Sequence, residues 1–473
     1  MESDVMRKII VIDQSILLND STAELNFQDN MVIFPWSELE ELECQAANSD
    51  NVSSTAAKLA LEALRSLQNG RDLSKGVPTP RGGFFLVEKD YYLPKDIKID
   101  IHNNGNSVIG AALKWKHRNE IRADKKGAHD PFEKFGPLGE VIVVTKNPAL
   151  HLKASACGLI TQDYLSNRVI QKPEELYSGL ACTEVSDDAF RSLGDLFYSG
   201  GIATSVPMEK IADMVDLPKL FPNQCCIFAS EGEARELLAL YKYNDGHPCF
   251  RSVPKPHPSN GRIHPRNNRQ ALSHALLMDP EITLVALSGI AGGGKSLMAL
   301  LAGRDQTMGK PGGKSYSQMC ICRPNWEMGK ALGYLKGDLT EKWAPWAAPI
   351  LDLFELLEVK KDLDKMIDGT DPEIQIMPIN FIQGRSLNKR FLMLDEAQNF
   401  NREEAKAFIC RAGEGTKVVL TGDVTQIVNP NLDLFSCGLS HVIQRMQGEE
   451  YFGCLHLERS ERSSLAQHAA DRL

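Results

Sequence analysis

The chain has 473 residues, of which 42% are hydrophobic and 24% charged, and its formal net charge is −9 at pH 7. The length predicts two to four domains, and the composition is that of a globular protein, which argues against a disordered or fibrous one. The net charge provides no global attraction to nucleic acid, so any such binding must come from a local basic surface or a pore.

Cysteine usage and the N-terminus bear on the compartment. The eleven cysteines form no CxxC pair, which argues against a structural zinc site. An odd cysteine number without a secretory signal is typical of a reducing compartment. The apolar run 9–12 ends at Asp13 and is too short for a signal peptide or a membrane span. We therefore expect a cytoplasmic protein that is not inserted in a membrane.

Residues 1–165 alternate short apolar strands with helical stretches, which predicts a parallel α/β sheet. The strand 9–12 opens this region and the strand 141–144 closes it, while 59–67 has apolar residues at helical spacing. The polar stretch 116–137 predicts a long, solvated loop.

Residues 166–250 have no long clean period, and their short apolar runs predict a small, β-rich connecting domain, which with its linker spans 166–261. The Pro- and Gly-rich segment 253–261 predicts an interdomain linker. In residues 262–473 apolar strands again alternate with helical stretches, which predicts a doubly wound α/β fold. The candidate strands of this last domain lie near 282–287, 317–322, 373–377, 390–394, 417–421 and 454–457.

A strand, a glycine-rich loop and an apolar helix follow one another in the order that a P-loop requires. The strand 282–287 precedes the GxxxxGKS motif, and the apolar helix 297–302 follows it. Glycines let backbone N–H groups approach phosphate oxygens, Lys295 can reach the β and γ phosphates, and Ser296 can hold Mg²⁺. The predicted ATP site comprises Gly289, Gly292, Gly293, Gly294, Lys295 and Ser296.

Two further strands end in polar groups. The strand 391–394 delivers Asp395 and Glu396 at its carboxyl end, where ligands bind in open α/β sheets. Asp395 is placed to hold Mg²⁺, and Glu396 to orient or deprotonate the attacking water. The strand 417–421 leads to Gly422-Asp423 and Gln426, a group able to sense the γ-phosphate.

Together these residues resemble the PhoH-like ATPases, whose core is related to superfamily-one RNA and DNA helicases. The resemblance implies that Gln270 contacts adenine and that Arg462 contacts the γ-phosphate, whereas Arg323 and Arg385 contact nucleic acid or serve packing and surface roles. Gly293 stands where many members carry Thr, a change expected to leave the phosphate cradle intact. The resemblance covers residues 262–473 and also rests on the segments 265–270, 322–324, 329–342, 384–386, 395–399, 411–415 and 461–463.

The N-terminal part resembles a PIN domain, a metal-dependent ribonuclease fold that one branch of this family carries ahead of its ATPase. The segments that carry this resemblance are 11–18, 35–43, 106–113, 143–154, 162–164 and 175–179. PIN nucleases gather about four carboxylates around Mg²⁺ or Mn²⁺.

Only part of that carboxylate set is present in this chain. Asp13 is kept, together with Glu41 or its neighbour Glu40. The third position falls on Gly105 or Asn106, and the fourth falls on Asn147. The lost charge predicts weak metal binding, although an acid from nearby chain can substitute. The candidates for that substitution are Asp100, Asp130 and Asp163.

We therefore expect an ATP-driven motor that acts on single-stranded RNA, with a degenerate PIN-like domain used for RNA binding or assembly. One alternative is an ATP-coupled, metal-dependent ribonuclease, and another is a nucleotide-switched binding scaffold. The resemblance further implies a homo-oligomeric ring, a hexamer, in which Arg462 of one subunit reaches the ATP of its neighbour.

Overall fold

The structure is a computed structural model. It describes residues 7–47, 52–101, 103, 105–124, 138–164, 170, 172–198, 204–231, 235–257, 263–309, 314–324, 339–378, 382, 384–429 and 432–461. The chain forms two compact units, Met1–Arg168 and Val169–Leu473. Among the described helices, none combines the length and the apolar composition needed to cross a membrane.

The first unit contains a six-stranded sheet in the order β3-β4-β2-β1-β5-β6, and only the β3/β4 pair is antiparallel. Its strands are β1 Arg7–Ile12, β2 Met31–Pro35, β3 Val77–Pro78, β4 Phe84–Glu88, β5 Leu138–Thr145 and β6 Ile160–Asp163. Its α-helices are α1 Gln14–Asn19, α2 Trp36–Ala47, α3 Val52–Gln68, α4 Asn106–Asp124 and α5 Pro148–Ala156. Short 3-10 helices span Ala23–Phe27 and Leu73–Lys75.

Both faces of this sheet are covered, which explains the continuous apolar runs 9–12, 31–34 and 141–144 in its central strands. Along β1, Ile10 and Ile12 pack with α1, α2 and α3 in one core, while Ile9 and Val11 pack with α4 and α5 in another. Alternate residues of a strand point to opposite faces, so one apolar run supplies two cores. The predicted parallel α/β sheet of the PIN-like region is confirmed.

The loop predicted over 116–137 is wrong for its first part, because α4 continues to Asp124. Val108, Ile109 and Ala112 pack against the sheet and fix the first turns of the helix. The polar residues that follow include good helix formers and no Pro or Gly, so a helix already begun extends through them into solvent. Residues 125–137 lie outside the described part of the chain.

The second unit begins with a five-stranded sheet in the order β7-β9-β10-β11-β8, with β7 and β9 parallel and the other pairs antiparallel. Its α6 packs on one face, and the other face shares a core with α8, where Leu238 and Leu240 join Leu272. The β-rich middle is confirmed, whereas the boundaries at 165 and 261 stay predictions. The elements are a 3-10 helix Pro173–Glu175, β7 Leu180–Val185, α6 Asp187–Phe197, β8 Ser205–Pro207, α7 Glu209–Ala212, β9 Cys225–Ser230, β10 Glu236–Asn244 and β11 His247–Val253.

The second unit also contains a six-stranded sheet whose strands are all parallel, in the order β14-β13-β15-β16-β12-β17. Its strands are β12 Leu284–Gly289, β13 Gln318–Arg323, β14 Ile374–Pro378, β15 Arg390–Leu394, β16 Lys417–Gly422 and β17 Phe452–Leu457. The helices are α8 Asn268–Met278, α9 Lys295–Thr307, α10 Leu339–Leu356, α11 Leu363–Asp368, α12 Arg402–Ile409 and α13 Gly438–Met446, with a 3-10 helix Ala397–Asn399. Side chains of α8, α9, α10 and α11 pack in one core, and those of α12 and α13 in another. The predicted doubly wound fold is confirmed.

Candidate functional site

Three adjacent strands of the parallel sheet bring the predicted ATP-site residues together. In the sheet order, β16 lies between β15 and β12. The P-loop follows β12, Asp395 and Glu396 follow β15, and Asp423 follows β16. Because the carboxyl ends of parallel strands meet at one edge, the three predicted motifs form a single site there.

The backbone of the P-loop has a conformation that requires glycine. Gly294 has a φ of +91° and Gly289 a φ of +142°, and a Cβ on Gly289 would clash with the carbonyl oxygen of Leu457. The amide of Ile290 donates to that same oxygen at 3.1 Å, and the amide of Glu461 donates to the Gly292 carbonyl at 3.0 Å. The end of β17 and the residues after it therefore hold the loop in shape.

Gly293 gives the loop its tight contact with the end of β17. A Cβ at this position would lie 3.2 Å from the carbonyl oxygens of Ile290 and Leu457. A Thr would therefore need the loop or β17 to move by a few tenths of an ångström.

Lys295 begins α9, and its ammonium group lies over the loop. Nζ donates to the carbonyl oxygens of Gly289 and Ile290, both at 2.8 Å. Phosphate oxygens are stronger acceptors for an ammonium group than neutral carbonyls, so these donors can pass to a bound triphosphate. On the neighbouring strand, Oδ2 of Asp423 is buried without a hydrogen-bond partner among the described residues. The site therefore fits a polar ligand.

Asp395 is held by hydroxyl groups from the two neighbouring elements. Its Oδ1 accepts from Ser296 Oγ at 2.7 Å and from Thr421 Oγ1 at 2.7 Å, and the residue is only 5% exposed. A carboxylate beside a hydroxyl is the oxygen-rich pair that Mg²⁺ prefers. Ser296 and Asp395 would hold that ion, which when bound neutralises phosphate charge.

Glu396 lies at the rim of the site in a left-handed conformation, with φ 55° and ψ 38°. Its Oε2 accepts from Gln398 Nε2 at 2.7 Å, and its Oε1 lies 3.4 Å from Arg323 Nη2. Both carboxylate oxygens therefore have a partner. The position at the strand end suits a group that acts on an attacking water.

Gln398 connects the loops that follow β15 and β16. Besides Glu396, its Nε2 donates to the carbonyl oxygen of Gln426 at 3.2 Å. Its Oε1 accepts from the amide of Asp423 at 3.1 Å. Gln398 is fully buried, whereas Gln426 is exposed. The Gln398 side chain therefore links Glu396 to the loop that follows β16.

Gln270, predicted to contact adenine, is buried and bonded to backbone at both ends of its amide. Its Oε1 accepts from the amide of Arg266 at 2.8 Å, and its Nε2 donates to the Gly293 carbonyl at 3.0 Å. In this arrangement Gln270 fixes the P-loop, and an adenine contact requires its amide to exchange a partner.

The three predicted arginines have different positions. Arg323 ends β13 and lies beside both acids predicted to be catalytic, with Nε 3.8 Å from Asp395 Oδ2 and Nη2 3.4 Å from Glu396 Oε1. Arg385 is exposed. Arg462 lies outside the described residues, which end at Glu461, and so does the segment 329–338.

Several residues of the site were not predicted from the sequence, namely Thr421, Gln398 and His456. His456 Nδ1 lies 2.9 Å from Ser288 Oγ on the strand before the P-loop, and burial lowers the pKa of its imidazole. A search for polar residues in the last two positions of each parallel strand would have found Thr421 and His456. Nothing local in the sequence indicates the role of Gln398.

In the first unit, Asp13 follows β1 at the carboxyl edge of the sheet, as predicted. Its Oδ1 accepts from Ser15 Oγ at 2.7 Å, and its Oδ2 accepts from Thr145 Oγ1 at 3.0 Å. Burial raises the pKa of the carboxyl to about 6, although these hydrogen bonds oppose the shift.

Glu38 is a carboxylate that was not predicted, and it lies with Asp13. It is 1% exposed, and its Oε2 accepts from the amide of Gln14 at 2.9 Å. Burial, and next the charge of Asp13, raise the pKa of Glu38 to about 8. Glu41, one turn along α2, accepts from the side chain of Gln14, whereas Glu40 accepts from Trp36. The i, i+3 spacing of positions 38 and 41 was the available signal.

The positions of the missing acids are occupied by groups with other roles. Asn147 caps α5, because its Oδ1 accepts from the amides of Ala149 and Leu150 at 3.0 and 3.3 Å. Asn106 donates to the Asp100 carbonyl at 2.6 Å and accepts from Lys153 at 3.3 Å.

The remaining candidates add no ligand set. Gly105 has a φ of +73°, which favours glycine, Asp163 is exposed at the end of β6, and Asp130 lies outside the described residues. Within the described ranges, no group of three or more His, Cys, Asp or Glu is arranged to hold a metal ion. As arranged, this edge does not fit a complete PIN metal centre.

Comparisons with known proteins agree with both halves of the chain. Residues 262–472 match the family model described as PhoH-like protein, and residues 10–165 match that of the PIN domain. The chain is 33% identical to Protein PhoH2 of Bacillus subtilis (strain 168), over 99% of this chain and 100% of that protein. Protein PhoH2 of Thermobispora bispora and that of Mycolicibacterium smegmatis are each 28% identical, over 96% of this chain and 94% of theirs.

The three relatives each match at least 96% of the chain, and the relative from Bacillus subtilis is 33% identical. The chain therefore belongs to the PhoH-like family of P-loop ATPases, in the branch that carries a PIN domain ahead of the PhoH domain.

Proposed function

We propose that this protein hydrolyses ATP at the P-loop site and uses the cycle to move along, or remodel, single-stranded RNA. The observation that carries the proposal is the set of contacts around Asp395 and Glu396. Ser296 and Thr421 fix Asp395, and Gln398 fixes Glu396 beside it. Phosphoryl transfer is catalysed mainly by positioning and charge stabilisation, and these side chains provide both.

Each residue has a separate task in this proposal. Lys295 passes from the loop carbonyls to the phosphates of ATP and stabilises their charge. Asp395 and Ser296 would hold a Mg²⁺ ion, which would neutralise phosphate charge. Glu396 orients the attacking water and accepts its proton, and Gln398 reports the position of the 422–426 loop to Glu396.

RNA is proposed as the substrate because the ATPase core resembles superfamily-one helicases. The residues of the chain that support it are few. Arg385 is exposed on the segment that precedes β15, and an exposed guanidinium is suited to a backbone phosphate. The PIN-like unit is proposed to hold the strand, and the working form to be a homo-oligomeric ring of six subunits.

The test is ATP turnover with and without single-stranded RNA, with the length of a labelled RNA followed in the same tubes in the presence of Mn²⁺. The proposal predicts that RNA increases turnover and that the RNA keeps its length. Lys295→Ala should abolish both basal and stimulated turnover. ATP turnover that does not change when RNA is added would contradict the motor function and favour a nucleotide-switched scaffold.

A second candidate, an ATP-coupled ribonuclease, is favoured by one observation, the burial of Glu38 beside Asp13. Glu41 also lies near enough to act on the charge of Glu38, although these three acids are not arranged as a ligand set for a metal ion, so cleavage would require them to rearrange around one. Shortening of the labelled RNA that requires Mn²⁺ and disappears in Asp13→Ala would establish this activity.

A further inference from the structure

Arg323 occupies a position in the ATP site that its sequence context does not explain. It is the last residue of β13, and in the register of β13 with β15 Cys322 lies opposite Leu394. The amide of Asp395 donates to the Cys322 carbonyl at 2.9 Å, so the two strand ends are tied together. Arg323 is therefore fixed at the entrance to the pair of catalytic acids.

The guanidinium of Arg323 lies beside one carboxylate oxygen of each acid, Asp395 Oδ2 and Glu396 Oε1. Asp395 Oδ1 and Glu396 Oε2 are hydrogen bonded to neutral side chains. The remaining oxygens face Arg323, with Nη2 3.4 Å from Glu396 Oε1 and Nε 3.8 Å from Asp395 Oδ2. The Arg323 side chain is 20% exposed, and that of Glu396 is 38% exposed.

This pairing conflicts with the task proposed for Glu396. A carboxylate that orients or deprotonates water must be open to that water, and although each carboxylate oxygen has two lone pairs, a guanidinium beside it occupies the space on that side. Gln398 occupies one oxygen of Glu396 and Arg323 the other. Both contacts are partly buried, but the Gln398 contact is 2.7 Å long and the Arg323 contact 3.4 Å, so the longer Arg323 contact is the one that exchanges.

The geometry points to Arg323 as a positioning residue that exchanges Glu396 for a phosphate oxyanion and so frees Glu396 to act on water. A guanidinium matches phosphate oxygens with paired donors, and a phosphate with more than one negative charge competes well with a single carboxylate. The oxyanion is either the γ-phosphate of ATP or a backbone phosphate of RNA. This inference rests on the proposed ATPase function and adds a regulatory step to it.

The test measures the affinity of the full-length protein for ATP, ADP and a single-stranded oligoribonucleotide. It uses Arg323→Met, which keeps an aliphatic side chain without the charge, and Arg323→Lys, which keeps the charge without the paired N–H donors of the guanidinium. Arg390→Met is the matched control, because Arg390 begins β15 at the opposite edge of the sheet and contacts Ser317 there. Melting temperatures establish that each variant is folded.

If the γ-phosphate binds the guanidinium, Arg323→Met weakens the binding of ATP but not the binding of ADP. If a backbone phosphate of RNA binds the guanidinium, Arg323→Met weakens RNA binding and raises the ATP turnover measured without RNA. Arg323→Lys should be intermediate, and Arg390→Met should match the unaltered protein. A folded Arg323→Met protein with unchanged ATP, ADP and RNA affinities and unchanged RNA-free turnover would overturn the inference, because a packing role survives in methionine.

A double-mutant cycle supplies a second, independent measurement. Glu396→Gln releases Arg323, so affinity for the phosphate ligand should rise by up to about fivefold, the worth of one partly exposed ion pair. The same change made in Arg323→Met should give a smaller rise, whereas equal rises in both backgrounds would contradict the exchange. These binding measurements do not depend on ATP hydrolysis. An unaltered protein without ATPase activity would therefore contradict the proposed function without deciding the inference about Arg323.

Discussion

Gln398 is fully buried and its amide holds Glu396, so we expect Gln398→Met to lower ATP turnover while leaving ATP binding intact. Methionine fills the same space but makes none of the three hydrogen bonds to Glu396, Gln426 and Asp423. The bond to the charged Glu396 is worth about 1.5–3 kcal/mol and the other two about 0.5–1.5 kcal/mol each. A misplaced Glu396 should cost about 100-fold in turnover, as small displacements of catalytic groups do.

The assay compares kcat, ATP affinity and melting temperature for Gln398→Met and for a matched control, Asn399→Ala. Asn399 ties the same two loops, because its Oδ1 accepts from the amides of Val428 and Asn429 at 2.7 and 3.3 Å, yet none of these bonds involves Glu396. Both variants should lower the melting temperature, but only Gln398→Met should lose most of its turnover. Equal losses of turnover in the two variants, or a Gln398→Met protein within twofold of the unaltered rate, would refute the positioning role.

Three other changes have definite expected outcomes. Asn147→Asp keeps the cap of α5 and adds a carboxylate, so Mn²⁺-dependent cleavage of labelled RNA should rise; strong cleavage by the unaltered chain would contradict this. Mixing inactive Arg462→Ala with inactive Lys295→Ala should recover ATPase activity if the arginine acts on a neighbouring subunit, and exchanged rings without recovery would exclude that. Burial, aided by two nearby arginines, lowers the pKa of His441 from 6.5 to about 4. As the pH falls, the imidazole is therefore protonated in the unfolded chain before it is protonated in the folded one, and the free energy of unfolding decreases from pH 6.5 towards pH 4. His441→Gln should reduce the dependence of the melting temperature on pH over this range.

The sequence was sufficient for features that depend on local order along the chain. The glycine loop between strand and helix places Gly289 and Lys295 at the carboxyl edge of a sheet wherever such a unit folds. The carboxyl ends of the neighbouring strands then bring Asp395 and Asp423 to the same edge. The apolar runs of both parallel sheets were recognisable because strands covered on both faces are apolar throughout.

Residues whose role depends on contacts between distant segments could not be assigned in this way. In the sequence Arg323 is an arginine at the end of an apolar strand, and only the pairing of β13 with β15 shows that it lies beside Asp395 and Glu396. The i, i+3 spacing of Glu38 and Glu41 places both on one face of α2, but the sequence alone does not show that this face lies towards Asp13. The helix beyond position 116 was missed because polar composition alone does not distinguish an exposed helix from a loop.

The most direct test of the central claim compares Lys295→Ala with Glu396→Gln in two measurements on the same preparations, equilibrium ATP binding and ATP turnover. Lys295 contacts phosphates in the ground state, while Glu396 acts on the attacking water, so the two losses should fall in different steps. We expect Lys295→Ala to bind no ATP, and Glu396→Gln to bind ATP at least as tightly as the unaltered protein without turning it over. Normal turnover in Glu396→Gln would contradict the assignment of the site.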